Sequence, residues 1–332
     1  MSNAEAALRG KKVLVTGAGG FIGSRLTERL VELGAEVRAL VHYNSLGAWG
    51  WLDDSPHKRE IEILAGDIAD PGCVQRAVEG REVVFHLAAL IAIPYSYLAP
   101  ASYGRVNIEG ALNVLEAARR WNIERLVHTS TSEVYGTALR TPINEDHPLQ
   151  GQSPYSATKI AADKLVESYY RSFDVPAVTV RPFNTYGPRQ SARAVVPTII
   201  TQALTQPTIR LGNLTATRDL NFVDDTVRGF LCAAVTPQAI GQTINIGSGR
   251  EIAIGELARL ILRMTESQAS IESDEQRVRP AKSEVERLLA DNTRAKQLLG
   301  WSPTVSLEDG LQRTIAWLRD HLGRYRPDVY NI

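Results

Sequence analysis

The stretch Lys11-Lys-Val-Leu-Val-Thr16 reads as a short apolar strand, and Gly17-Ala-Gly-Gly20-Phe-Ile-Gly23 follows it directly, ahead of a helical pattern that runs to about Leu33. Glycines at this spacing, placed between a strand and a helix, leave few folds open because each position has a steric reason. Gly17 permits a tight turn, Gly20 lets the backbone approach a pyrophosphate, and Gly23 lets the helix lie close to the sheet. The helix N-terminus, with its unpaired N–H groups, then faces the phosphates. The opening residues therefore predict a dinucleotide held where a strand of the sheet turns into its helix.

The rest of the first half agrees with that prediction. Apolar runs at residues 36–41, 61–68, 83–89, 125–129 and 177–181 read as strands, and residues 101–121 and 155–173 have helical apolar spacing. Strand and helix in regular alternation give a parallel sheet covered on both faces. After Arg181 the string Arg181-Pro-Phe-Asn-Thr-Tyr-Gly-Pro188 is dense in turn formers. Helical pieces at about 195–205, 224–235, 254–264 and 307–322 then alternate with short strands near 220–223 and 242–246. The expected architecture is α/β: a doubly wound dinucleotide-binding domain over residues 1–181 and a smaller lobe over 182–332 that closes over the cleft, with chain crossovers between them. A length of 332 residues with 44% apolar content supplies the core that such a fold needs.

Charge and cysteine content narrow the partners. Lys plus Arg and Asp plus Glu number 37 each, so no global field recruits nucleic acid or an anionic membrane, and any anionic ligand must be held by local groups. Cys73 and Cys232 lie far apart in apolar contexts, which suits a reducing compartment better than a disulfide framework. No apolar run is long enough to span a bilayer, and Met1–Gly10 lacks the apolar core of a signal peptide. The expected location is cytoplasmic, and no metal ligand set is assigned.

Chemistry concentrates between Ser130 and Lys159. The segment reads Ser-Thr-Ser-Glu-Val-Tyr-Gly at 130–136 and Ser-Pro-Tyr-Ser-Ala-Thr-Lys at 153–159. Tyr155 and Lys159, four apart, share one face of a helix. A nearby ammonium, together with a nicotinamide cation if one is bound, favours the phenolate and lowers its pKa, so Tyr155 is expected to take a proton from a hydroxyl while hydride leaves the same carbon. Thr131 offers a hydroxyl to orient that oxygen and Glu133 a second base. Ser130 and Glu133 also fit a plain helix capping box.

Elsewhere the reading stays open. The end of the second strand, where an acid usually holds the adenosine ribose, carries Val41 and His42, so NAD and NADP are not separated. His42 is either a contact for a 2′-phosphate or a solvent-facing loop residue. The following loop carries Trp49 and Trp51, which either cover the sheet edge or stand near cofactor or substrate. Asp67 and Ile68 end the third strand where adenine is expected.

With these motifs in hand, the chain resembles the extended short-chain dehydrogenase/reductases over nearly its whole length. The resemblance rests on Thr16–Gly23, Asp67, His86–Ala89, Asn107, Thr131–Glu133, Tyr155 with Lys159, Arg181–Pro188 and Asn245-Ile-Gly-Ser-Gly249. Within that family it looks most like nucleotide-sugar 4,6-dehydratases of the legionaminic-acid-pathway type, which act on a nucleotide-linked N-acetylglucosamine. The strings that carry this are His42-Tyr-Asn-Ser with Trp49-Gly-Trp51, Gly187-Pro-Arg-Gln-Ser-Ala-Arg193, Thr217-Arg-Asp219 and Arg277-Val-Arg-Pro280 with Ser283-Glu-Val-Glu-Arg287. One position departs: many such dehydratases carry Asp after the active-site Thr, and here that place is Ser132. GDP-mannose 4,6-dehydratases and UDP-glucuronate decarboxylases are similar to this chain there.

The resemblance implies a tightly bound NAD or NADP that is regenerated in each cycle, and conversion of a UDP- or GDP-linked sugar to its 4-keto-6-deoxy form. Thr131, Ser132, Glu133, Tyr155 and Lys159 would be catalytic. The cofactor would be held by Gly17, Gly20, Phe21, Ile22, Gly23, His42, Asp67, Ile68, Leu87, Ala88, Ala89, Asn107, Tyr155 and Lys159. Asn184, Arg193, Arg218 and Arg279 would hold the substrate, with arginine forks suited to its diphosphate. A decarboxylase or 4-epimerase on the same fold is the first alternative, and a non-catalytic NAD(P)-binding regulatory protein the second. A homodimer through residues 101–121 and 155–173 is expected.

Overall fold

A computed structural model describes residues 6–278 and 280–331. Six parallel strands, β1 (Lys12–Thr16), β2 (Glu36–His42), β3 (Glu62–Gly66), β4 (Val83–His86), β5 (Arg125–Thr129) and β6 (Ala177–Pro182), come first along the chain. The chain continues through β7 (Asn184–Tyr186), β8 (Thr208–Leu211) and β9 (Thr217–Phe222), and then β10 (Thr243–Ile246) returns to pair with β6. The resulting seven-stranded sheet has the order β10-β6-β5-β4-β1-β2-β3. This is the expected doubly wound α/β sheet, and strand order reverses between β1 and β4, where such sheets open a crevice at their carboxyl ends.

Both faces of the sheet are buried because successive residues of each strand point to opposite sides. Val13, Val15, Phe85, Val127 and Val178 enter one apolar cluster, while Leu14, Val84, Leu126 and Ala177 enter the other. Strand pairing ends earlier than expected at two carboxyl ends. β4 stops at His86, because Thr16 Oγ1 accepts from the Leu87 and Ala88 amides at 3.1 Å each and turns the chain out of the sheet. β3 stops at Gly66, and Asp67 closes the next turn by accepting from Ala69 N.

The helix expected over 101–121 starts at Pro100, runs to Arg120 and is interrupted by a π segment, Gly104–Glu109. The helix carrying the Tyr-Lys pair spans Pro154–Phe173 and opens with a capping box between Ser153 and Ser156, with Pro154 at its first position. A helix at Pro71–Val78 is additional to the expected elements; its signal is Asp70, whose Oδ1 caps Cys73 N, followed by proline.

In the second half β9 is central. It pairs with β7, with β11 (Glu251–Ala253) and with β13 (Arg287–Leu288), while β12 (Ser270–Ser273) joins β8. Helices Val195–Thr205, Ile254–Thr265 and Leu307–His321 stand where the apolar spacing places them. Among the described residues no helix is long and apolar enough to cross a membrane.

Candidate active site

The glycine loop has the geometry its sequence predicts, with one refinement. Gly17 has φ +68°, and a methyl there would sit 2.8 Å from Ala88 N, so the loop lies against the turn after β4. Gly20 caps the helix Phe21–Glu32 in an extended conformation without any side-chain cap, which leaves the first N–H groups facing outward. A methyl at Gly23 would overlap the Gly17 carbonyl, so the close approach is to the loop itself rather than to the sheet. Phe21 and Ile22 begin that helix and pack on the core.

The tryptophan loop is part of this arrangement. Trp51 N donates to Gly19 O at 3.0 Å, and Gly19 and Gly50 meet so closely that neither tolerates a methyl. The Trp51 ring packs edge-on against Trp317 at 5.3 Å, and the Arg324 guanidinium lies 5.0 Å from its centre. The loop thus fastens the glycine turn to the C-terminal helix, a contact between distant parts of the chain that neither sequence reading anticipated. His42, at the end of β2, is exposed. Ile68 is buried in the core beneath Gly110.

Asn107 sits in the π segment. Its amide accepts from Leu90 N at 2.9 Å and donates to Leu90 O at 3.0 Å and to Thr158 Oγ1 at 3.0 Å. The π turn, a feature frequent at functional sites, aims this side chain at Leu90, in the segment that follows β4, and at the helix of Tyr155.

Thr131, Ser132 and Glu133 form a tight turn at the end of β5, where Glu133 N donates to Thr131 Oγ1 at 3.2 Å. Ser130 does not act as a capping residue; its hydroxyl donates instead to Asp163 Oδ2 at 2.8 Å. Thr131, Ser132, Tyr155 and Lys159 are buried, with Glu133 partly so. The Thr131 side chain engages the Tyr155 phenol, the Glu133 charge acts on the same phenol, and the Tyr103 ring meets Tyr155 edge-on at 6.2 Å. Lys159 Nζ donates to Thr129 O at 2.7 Å. The structure thus brings together all five residues proposed for chemistry.

Electrostatics correct one expectation. Burial pushes the Tyr155 phenol above its ordinary value, and Thr131 opposes this without reversing it, whereas the sequence predicts a lowered phenol. The cause is desolvation, which penalises the phenolate more than local groups reward it. Burial also pulls the Lys159 amine from 10.5 down to about 8, with Asp163 acting in the other direction.

Of the substrate residues, Asn184 opens β7 just after β6, and its Nδ2 is buried with no hydrogen-bond partner. That unmet donor, at the carboxyl end of the sheet, suits an anionic oxygen. Arg218 lies on β9 with Nη2 at 3.2 Å from Glu284 Oε1. Arg193 is exposed, and its charge is felt at Tyr103. Arg279 lies outside the described residues.

Asp163, Arg181 and His128 are residues that sequence reasoning missed. Arg181 and His128 stand with Ser130 around Asp163, and the available signal was the spacing of Asp163 four residues after Lys159.

The family model described as GDP-mannose 4,6 dehydratase matches residues 14–314. The UDP-glucose 4-epimerase of Mycolicibacterium smegmatis is 36% identical over 93% of this chain and 99% of its own. The dTDP-glucose 4,6-dehydratase of Streptomyces griseus is 33% identical over 96% and 97%. Among solved structures, an epimerase of Methanothermobacter thermautotrophicus superposes with a TM-score of 0.90 at 34% identity, covering 97% of this chain and 96% of that one. The dTDP-glucose 4,6-dehydratase of Streptomyces venezuelae, solved with NAD bound, gives 0.87 at 29% identity over 95% and 99%. The seven-stranded sheet, the glycine loop and the Thr131–Tyr155–Lys159 grouping are therefore those of an enzyme of the extended short-chain dehydrogenase/reductases, and the chain belongs to their GDP-mannose 4,6-dehydratase-like family, which takes in both nucleotide-sugar dehydratases and epimerases.

Proposed function

We propose that this enzyme is a nucleotide-sugar 4,6-dehydratase acting on a UDP- or GDP-linked N-acetylglucosamine. The observation that carries the reading is Glu133, a second base on the turn that holds Thr131 against Tyr155. The glycine loop fits a dinucleotide: the bare helix N–H groups after Gly20 would hold its phosphates, beside the turn at Leu87 and Ala88 that Gly17 packs against. A bound nicotinamide, NAD or NADP, supplies the acceptor and later the donor of hydride. The solved relative with NAD supports that cofactor class.

This chain's own residues do the proton work. Thr131 orients the C4 hydroxyl, and Tyr155, in the phenolate form that a bound nicotinamide cation would favour against burial, takes its proton as C4 becomes a ketone. That ketone acidifies the C5 hydrogen, which Glu133 removes. The proton on Glu133 is then available to the departing C6 hydroxyl, since Ser132 stands where many dehydratases place an acid. Asn184, Arg193, Arg218 and Arg279 are the proposed grip on the diphosphate. Residues 1–181 and 182–332 serve as cofactor and substrate regions, and the helices around 101–121 and 155–173 as a homodimer face in a cytoplasmic protein.

A 4-epimerase is the second reading, favoured by the 36% identical relative. Epimerisation needs no base at C5 and would leave Glu133 idle. Incubation of the purified protein with UDP- and GDP-N-acetylglucosamine, followed by mass spectrometry, separates the two. Loss of one water from the substrate supports dehydration, and an unchanged mass with altered stereochemistry overturns it.

A further inference from the structure

Asp163 takes no part in the steps above, yet it is one of the most heavily bonded buried side chains near them. It lies one helical turn beyond Lys159, on the same face of the helix Pro154–Phe173. Its Oδ2 accepts from Ser130 Oγ at 2.8 Å, Arg181 Nη2 at 2.9 Å and Arg181 Nε at 3.1 Å. Its Oδ1 makes no hydrogen bond and sits 3.4 Å from His128 Nε2. Ser130, His128, Arg181 and Asp163 are each less than a tenth exposed. A buried ion pair is a poor device for stability alone, because an apolar pair of similar volume often serves as well or better. Ser130 immediately precedes Thr131, so a shift of this carboxylate is passed directly to the residue that engages Tyr155.

We propose that Asp163 is a positioning residue for the Tyr155–Lys159 pair: held by hydrogen bonds from Ser130 and Arg181, its carboxylate fixes the end of β5 at Thr131 and sets a negative charge one helical turn from Lys159. The catalytic consequence rests on reading Tyr155 and Lys159 as the proton-transfer pair, whereas the charge on Lys159 does not.

The surrounding groups support this assignment. On its own helix Lys159 and Tyr155 feel the Asp163 charge; His128 of β5 and Ser130 just after it face Asp163, as does Arg181 of β6, which also donates to Tyr135 OH at 2.9 Å. Beyond them stand His86, whose ring centre lies 5.5 Å from that of His128, and Glu145, which accepts from Asn245 N. Burial holds His86 and His128 below their ordinary values, so neither competes with Lys159 as a cation at neutral pH. Burial works to raise the Asp163 carboxyl, but His128, Arg181 and Ser130 outweigh it and keep the group anionic. On Lys159 the opposing influences are burial, which lowers its pKa, and Asp163, which raises it; the balance is about 8, still protonated at pH 7. Asp163 also works to keep the proton on Tyr155. Loss of its charge therefore moves both titrations toward lower pH.

The chain has seven lysines, few enough for each to be followed by NMR with carbon-13 at Cε, the Lys159 signal being assigned by its loss in Lys159→Arg. In the full-length protein we expect Lys159 to titrate above pH 7. In Asp163→Asn its midpoint should fall by about one pH unit or more, leaving half or more of Lys159 neutral at pH 7. Asp163→Glu, which keeps the charge, should return the midpoint toward that of the unaltered protein, while a purely structural role for Asp163 would leave all midpoints alike. A Lys159 midpoint below 7 in the unaltered protein overturns the proposal without any variant at Asp163. An unchanged midpoint in a folded Asp163→Asn protein overturns it too. Should the titrations behave as expected while no sugar nucleotide loses water, the dehydratase reading fails and the assignment of Asp163 stands.

Discussion

The Arg218 guanidinium meets the Glu284 carboxylate at 3.2 Å, and its other terminal nitrogen donates to Thr217 O at 2.8 Å, with both side chains largely buried. If Arg218 grips a diphosphate, the ligand must share this guanidinium with Glu284. Arg218→Ala is expected to weaken nucleotide-sugar binding by about 1.5–3 kcal/mol, the scale of a hydrogen bond to a charged group. The loss should lie toward the upper end, because Glu284 would then repel the anion unopposed. Isothermal titration with UDP and GDP sugars reads this directly, with cofactor affinity as the control. Unchanged nucleotide-sugar affinity would make Arg218 a structural partner of Glu284 only.

Glu133→Gln should separate the two halves of the reaction. The amide keeps the turn at Thr131 but removes the base, so C4 oxidation continues and reduced cofactor appears in absorbance, while dehydration falls by about two to four orders of magnitude. Equal loss of both steps would assign Glu133 to structure. In Tyr155→Phe both steps should fail together, since Tyr155 is the group that Thr131 engages. Hydride transfer retained in that variant would place the base elsewhere.

Gly23→Ala tests the glycine loop. The added methyl overlaps the Gly17 carbonyl, and overpacking of this kind costs about 1–3 kcal/mol. Because the strain falls on the turn that faces the phosphates, cofactor affinity should drop together with thermal stability. Gly20→Ala places its methyl at 3.3 Å from the same oxygen and should cost less stability. Cofactor titration and thermal melting of both variants check the contrast, and normal cofactor affinity in Gly23→Ala would contradict it.

Much of the site was legible because its determinants are local. A strand, three glycines and a helix within residues 11–33 specify a turn that few side chains allow, and Tyr155 with Lys159 needs only helical spacing to share a face. The long helices follow from apolar periodicity in the same way, and Val195–Thr205 falls where that periodicity places it. Sequence by itself therefore determined the sheet's parallel character, the place of the dinucleotide turn and the grouping of Thr131, Tyr155 and Lys159. Tertiary structure alone decided what joins distant segments. β10 returns across sixty residues to close the sheet beside β6, Trp51 reaches Trp317, and Asp163 gathers donors from β5 and β6 around Ser130. It also decided the direction of the Tyr155 titration, since desolvation depends on how many neighbours surround the phenol and not on which residues adjoin it in the chain. Periodicity reports which face of an element is buried; it carries no record of which other element covers that face.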